Sequence, residues 1–324
     1  MQNGQEDLGS RVHPDLKEYY AQMAPFLTPD KEVIEETRKI WDFLASTFMK
    51  VRSPHDRVPI TTRQIPGPKD APEVSVRIYN SQNDKTQRPG FLFIHGGAYV
   101  LGHPSHFDNI CSLIAHEADC IVISPDYRLA PETTYPAAIE DCYATLVWMR
   151  DAAQELGINP KKIAIGGVSC GGGLCAALAL MARDRNGPEI CFQMPLYPMV
   201  DNRNVTPSSQ EIVEKRVFCR EGTVFGWEMY LRGKDKAELD PYAVPLRATD
   251  FSKLPPTFTF VGTLDVLRDE TIEYVSKLIQ AKVPVEFHLY PGCFHAFDLF
   301  FPDTEISKAA NLSIVNALKK AFKA

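Results

Sequence analysis

No uninterrupted apolar run in this chain approaches the ~20 residues of a membrane span, so the sequence predicts no transmembrane helix. Basic residues are not in excess. Lys+Arg number 35 against 41 Asp+Glu, for a formal net charge of −6. With a pI near 5.8, that balance argues against nucleic acid or an anionic membrane surface as partner. No pair of cysteines has the C-x-x-C spacing of a zinc or redox site, and no repeat or low-complexity tract stands out. The opening residues, with Gln2, Gln5, Glu6, Asp7 and Arg11, are too polar for a secretory signal. The expectation is a cytoplasmic protein whose eight cysteines stay reduced. Most of them sit beside Ile, Ala, Leu or Phe, as small apolar fillers do.

What is present is enough for a large core. The chain has 324 residues, 44% hydrophobic and 23% charged, which suits one large α/β domain or two smaller ones. Val58–Thr62 and Val74–Tyr79 alternate like half-exposed edge strands. Phe91–Ile94, Ile121–Ile123, Ile163–Ile165 and Ile190–Phe192 are apolar on both faces, as central parallel strands are. Phe258–Val261 and Val285–Tyr290 bring the total to about eight. Helical stretches near 106–117, 137–156, 172–185, 268–282 and 305–322 alternate with them, which predicts a doubly wound, mostly parallel sheet with helices on both faces. Two helices are expected at the N-terminus. The second starts at Thr28-Pro29-Asp30 and carries the stripe Val33, Ile34, Ile40, Trp41, Leu44 and Phe48. Residues 201–236 interrupt the alternation with a polar stretch running into Phe225, Trp227, Met229 and Tyr230. We read it as an insertion that packs with the N-terminal helices to form a lid; the alternative is a mobile surface excursion.

The chemistry centres on Gly167-Val168-Ser169-Cys170-Gly171, between an apolar strand and the small-residue run Leu174–Leu180. That is the strand, tight turn and helix that a serine nucleophile on an elbow requires. The pattern alone arises by chance in roughly one chain of this size in ten, so other residues must support it. Ligands of open α/β sheets bind beyond the carboxyl ends of the strands. Ser169, Asp265 and His295 all fall at such ends, in the chain order Ser…Asp…His. A serine hydroxyl needs an adjacent base, and imidazole held by a carboxylate supplies one. Asp269 and Asp298 are rival carboxylates, one a helix-start charge, the other close behind His295 in sequence. His95-Gly96-Gly97-Ala98 follows the strand Phe91–Ile94. The Gly96 and Gly97 amides, with the amide of Cys170, would hold an oxyanion. A plain glycine turn is the alternative. His95 is expected to brace that loop. His103 and His106, lacking a further ligand cluster, are read as loop and helix-start residues rather than metal ligands.

His95-Gly96-Gly97-Ala98, Asp126-Tyr127-Arg128-Leu129-Ala130-Pro131-Glu132, the serine elbow, Asp265-Val266-Leu267-Arg268-Asp269-Glu270 and His295-Ala296-Phe297 together resemble the hormone-sensitive-lipase family of α/β-hydrolases. The similarity runs in order from about residue 55 and is weaker in the N-terminal helices and the insertion. Departures are Val168 and Cys170 around the serine, Ala98 for a third glycine, and Val266 where proline often follows the aspartate. The resemblance implies the α/β-hydrolase fold with a helical cap (1–55 and 200–245) on a catalytic core (56–199 and 246–324). It implies a carboxylesterase with Ser169, Asp265 and His295 as triad and Gly96, Gly97 and Cys170 as oxyanion donors.

The expected function is therefore hydrolysis of small esters through an acyl-enzyme, with no cofactor and no metal. Tyr19, Tyr20, Phe26 and Trp41 near the cap suggest short acyl chains. Amide or formamide hydrolysis would use the same residues. A ligand receptor on the same scaffold is the alternative from a different class; gibberellin receptors resemble this family but lack the histidine, which this chain retains. The aromatic and branched strand near 285–290 is a candidate edge for a homodimer.

Overall fold

The computed structural model describes residues 7–23, 34–49, 58–81, 87–235 and 237–323. Its strands are β1 (Ile60–Ile65), β2 (Val74–Tyr79), β3 (Arg88–Ile94), β4 (Ile121–Asp126), β5 (Ile158–Val168), β6 (Phe192–Leu196), β7 (Thr257–Leu264) and β8 (Val285–Phe294). They form a single 8-stranded sheet in the order β1-β2-β4-β3-β5-β6-β7-β8. The β1–β2 and β2–β4 pairs are antiparallel, and every other pair is parallel. This is the mostly parallel, helix-covered sheet that the strand and helix pattern predicts, and the α/β-hydrolase fold that the family resemblance implies.

Burial follows position in the sheet. The segments Phe91–Ile94, Ile121–Ile123 and Ile163–Ile165 are buried on both faces, because helices cover a parallel sheet on both sides. Strand β1 is exposed along most of its length, as an outer antiparallel strand tolerates. Helices Asp108–Glu117, Ala137–Asp151, Cys170–Asp184 and Arg268–Gln280 carry the chain between parallel strands, and Glu305–Lys323 follows β8.

Some boundaries differ from the sequence reading. The first strand lies at 60–65 rather than 58–62. The sixth begins at Phe192, where the expected strand ended. The stretch 137–156 is divided at Ala152 into two helices. The N-terminal region holds the helical segments Leu8–Arg11, Lys17–Gln22 and Ile34–Phe48, while Thr28-Pro29-Asp30, Val33 and Phe26 lie outside the described residues. The insertion folds into helices Pro207–Glu211 and Arg220–Tyr230. It touches the N-terminal segment through the Arg11–Glu211 ion pair and the Arg216 guanidinium, 4.3 Å from the Tyr20 ring centre.

All eight cysteines are free thiols, buried except for the half-buried Cys191. Among the described residues no helix is long and apolar enough to cross a membrane.

Candidate active site

Ser169 sits between the end of β5 and the helix Cys170–Asp184, with φ 57° and ψ −124°. A non-glycine residue at positive φ is strained and persists only where its surroundings hold it. Here they do. The Ser169 amide donates to the Leu196 carbonyl at 3.1 Å, and its own carbonyl accepts from the Gly173 and Met199 amides, each at 3.0 Å. Close packing beneath the elbow demands a missing side chain at Gly171, where a methyl would overlap the carbonyl oxygens of Ile94 and His95. The same contact pins the end of β3 against the elbow.

Asp265 follows β7 and His295 follows β8. Ser169, Asp265 and His295 are 7%, 1% and 7% exposed, enough for the serine and the imidazole to meet a ligand while the carboxylate stays shielded. One Asp265 oxygen accepts the Leu267 amide at 2.8 Å; the other lies 2.8 Å from His295 Nδ1. The carboxylate thus selects the tautomer with the proton on Nδ1, leaving Nε2 as an acceptor 3.0 Å from Ser169 Oγ. The Tyr197 ring meets the imidazole edge-on at 5.0 Å, and Phe218 from the insertion lies 4.8 Å away.

The rival carboxylates are engaged elsewhere. Asp269 pairs with Arg268 and accepts the Ser208 amide at 2.7 Å. Asp298 is fully buried and accepts from the Tyr197 hydroxyl at 3.4 Å.

His95 is fully buried, stacked on Tyr127 with centroids 4.2 Å apart, and its Nδ1 lies 2.9 Å from the Gly96 carbonyl. Burial pushes its pKa down to about 3, so the ring is a neutral brace. The loop then runs through Gly97 (φ 130°), Ala98 (φ 53°) and Tyr99 (φ 65°). Tyr99 donates its amide to Cys170 Sγ at 3.2 Å, and Tyr127 donates its hydroxyl to the His95 carbonyl at 2.9 Å. Burial raises the Cys170 thiol to about 11, which keeps it protonated. The Cys170 amide opens the helix, where N–H groups lack intrahelical partners and the dipole favours negative charge.

Gly96 and Gly97 share the wall of a cavity of about 120 Å³ with Ser169 and His295. The rest of its lining is almost wholly apolar. Trp41 and Leu44 come from the helix Ile34–Phe48, Val217 and Phe218 from the insertion, and Leu299 and Phe300 from the short helix Phe297–Phe300 after His295. Of the aromatic residues expected near the cap, Trp41 lines this cavity. Tyr20 instead packs on Phe294, and Tyr19 on Phe301.

His103 caps the short helix Pro104–Phe107, accepting the Ser105 amide at 3.2 Å. His106 pairs with Asp42 at 3.3 Å. Among the described residues no group of three or more His, Cys, Asp or Glu could hold a metal ion.

The sequence reading missed two residues beside the imidazole. Tyr197 directly follows the end of β6, so the strand-end rule could have found it. Phe218 comes from the irregular insertion and had no such signal.

A family model described as the alpha/beta hydrolase fold matches residues 91–299. An arylesterase of Saccharolobus solfataricus is 37% identical over 253 residues, 78% of this chain and 80% of the relative. The carboxylic ester hydrolase LipN of Mycobacterium tuberculosis is 35% identical over 271 residues, 82% of this chain and 71% of the relative. Among solved structures, a bacterial heroin esterase superposes with a TM-score of 0.92 at 33% identity, covering 98% of this chain and 100% of its own.

Proposed function

Since the chain belongs to the hormone-sensitive-lipase-like branch of the α/β-hydrolase fold family and is a carboxylic ester hydrolase, we propose that it cleaves small, short-acyl esters through an acyl-enzyme on Ser169. The observation that carries this reading is the buried relay from Ser169 Oγ to His295 Nε2 at 3.0 Å and from His295 Nδ1 to Asp265 at 2.8 Å.

In this mechanism His295 takes the Ser169 proton as Oγ attacks the ester carbonyl. Negative charge moves onto the carbonyl oxygen, which the amides of Gly96, Gly97 and Cys170 receive. Collapse expels the alcohol, protonated by His295, and leaves the acyl group on Ser169. Water, deprotonated by His295, then releases the acid by the same steps. Asp265 holds the imidazole tautomer and balances the imidazolium charge.

The apolar lining and the volume of about 120 Å³ support a short, uncharged acyl group. We assign the cap to residues 1–55 and 200–245 and the catalytic core to 56–199 and 246–324; contacts of Trp41 and Phe218 with the cavity support that division. The reading includes a cytoplasmic location, in keeping with the free thiols. It also includes a homodimer through the outer edge of β8, where Leu289 is exposed and Ile279 and Leu312 on the flanking helices are exposed as well.

Burst kinetics with p-nitrophenyl butanoate and labelling by a fluorophosphonate test the mechanism. Wild-type enzyme should show both and Ser169→Ala neither; full turnover in that variant rejects it. A matched ester and amide should be separated in favour of the ester.

A further inference from the structure

Arg38, on the cap helix Ile34–Phe48, reaches out of the cap and into the core. Its Nε donates to the Val100 carbonyl at 3.0 Å, and Nη2 donates to the Ala130 carbonyl at 3.1 Å. The same guanidinium grips Glu132 with both of its terminal nitrogens, at 2.8 and 2.9 Å, and Nη1 also donates to Glu35 at 3.1 Å. Val100 directly follows the left-handed run Gly97-Ala98-Tyr99. Ala130 is tied to that run as well, donating its amide to the Tyr99 carbonyl at 2.9 Å. One side chain therefore fastens a cap helix to both strands of backbone that border the oxyanion loop.

Packing at this point is consistent with the polar contacts. Ile34 of the cap helix and Met229 of the insertion form a separate apolar cluster with Ala98, Val100, Leu101 and Ala130. The insertion helix comes so near the loop that a methyl at Gly226 would lie 2.7 Å from the Ala98 carbonyl oxygen. Both cap segments thus pack directly on the loop that holds Gly96 and Gly97. Ala98 and Tyr99 hold positive φ values that side-chain-bearing residues adopt only under external constraint.

We propose that Arg38 is a positioning residue for the oxyanion loop, so that the hole for the tetrahedral intermediate is held in register only while the cap helix is seated. The proposal rests on the ester-hydrolase mechanism above and assigns the cap a part in the chemistry beyond enclosing the substrate. A guanidinium is suited to this place because its fixed fork can serve a bidentate carboxylate and two carbonyls at once. A lysine ammonium cannot span the same set.

Because the oxyanion exists only in the intermediate and its flanking transition states, loosening the hole should lower kcat and spare KM. The test compares wild type with Arg38→Met, Arg38→Lys and Glu132→Gln. The readouts are kcat and KM for p-nitrophenyl butanoate, inhibition by a trifluoromethyl ketone and thermal melting. The ketone forms a tetrahedral adduct that needs the hole. Arg38→Met is expected to lose ~10–100-fold in kcat and in ketone affinity together, with KM within about twofold. Arg38→Lys should recover little of that loss, and Glu132→Gln, at an exposed position, should lose ~3–10-fold. Unchanged kcat and ketone affinity in folded variants would overturn the proposal, as would a rise in KM alone. If Arg38→Met does not fold, Glu132→Gln decides by the same criteria. A wild-type enzyme that neither hydrolyses esters nor takes up a fluorophosphonate would overturn the parent mechanism, whereas intact wild-type catalysis with unaffected variants overturns only the role of Arg38.

Discussion

Asp265 and His295 form a buried pair at 2.8 Å, while the neighbouring Asp298, also buried, turns to the Tyr197 hydroxyl. Two carboxylates near one imidazole thus have separable tasks. Asp265→Asn removes the charge and the tautomer control, and should lower kcat by ~10³–10⁴-fold without unfolding the protein. Asp298→Asn should stay within about tenfold of wild type, because its carboxylate does not contact the imidazole nitrogen. Steady-state kinetics on both variants check the assignment, and the reverse ranking would refute it.

Burial holds the Asp298 carboxyl up at about 7, against an ordinary 3.8. The titratable groups facing it are Tyr197, His295, Asp265, Tyr290 and Cys293. Between those two pKa values the native state binds more protons than the unfolded chain, so this group lowers stability as pH rises through the window. Asp298→Asn removes that loss. At pH 8 it should be more stable than wild type by up to ~4 kcal/mol, with a higher melting temperature, and the gap should close near pH 4. Melting curves across pH check this; a gap that does not vary with pH would count against it.

Gly171→Ala sets a methyl against two backbone carbonyls at the end of β3, and backbone cannot rotate away as a side chain can. The substitution should destabilise by about 3 kcal/mol or more, and any folded fraction should have a displaced nucleophile. Chemical denaturation and fluorophosphonate labelling rates measure both effects. A stable, rapidly labelled variant would show that the elbow has room to spare.

Phe218 closes the cavity over His295. Phe218→Ala should widen the acyl preference, raising the octanoate-to-butanoate ratio of kcat/KM by ~10-fold while lowering absolute turnover. A ratio that stays put would place the acyl chain on the other side of the serine.

The sheet was readable because its central strands are apolar on both faces, and the strand-end rule pointed to the positions where Ser169, Asp265 and His295 now meet. Boundaries were less legible for local reasons. Pro195 lies inside β6, pairs opposite Gly167 and has no amide to donate, which makes it an unusual residue for a central strand. β6 correspondingly shares just the Gln193–Thr257 register pair with β7. The outermost strand, β1, is exposed and rich in polar residues, which blurred its start. Arg38 was invisible because two of its partners are backbone carbonyls, 62 and 92 residues away in the chain. No side-chain pattern announces a contact of that kind.

In the proposed mechanism the reacting groups are dispersed over the ends of β3, β5, β7 and β8, with the nucleophile and its base 126 positions apart in the chain. On that mechanism, a fragment that stops short of β8 lacks the base that forming and releasing the acyl group requires. The proposed mechanism therefore predicts an emerging polypeptide that is chemically silent during synthesis, its serine armed only when β8 docks at the edge of the sheet. Truncated products that lack β8 should then consume no esters on the way to the finished enzyme.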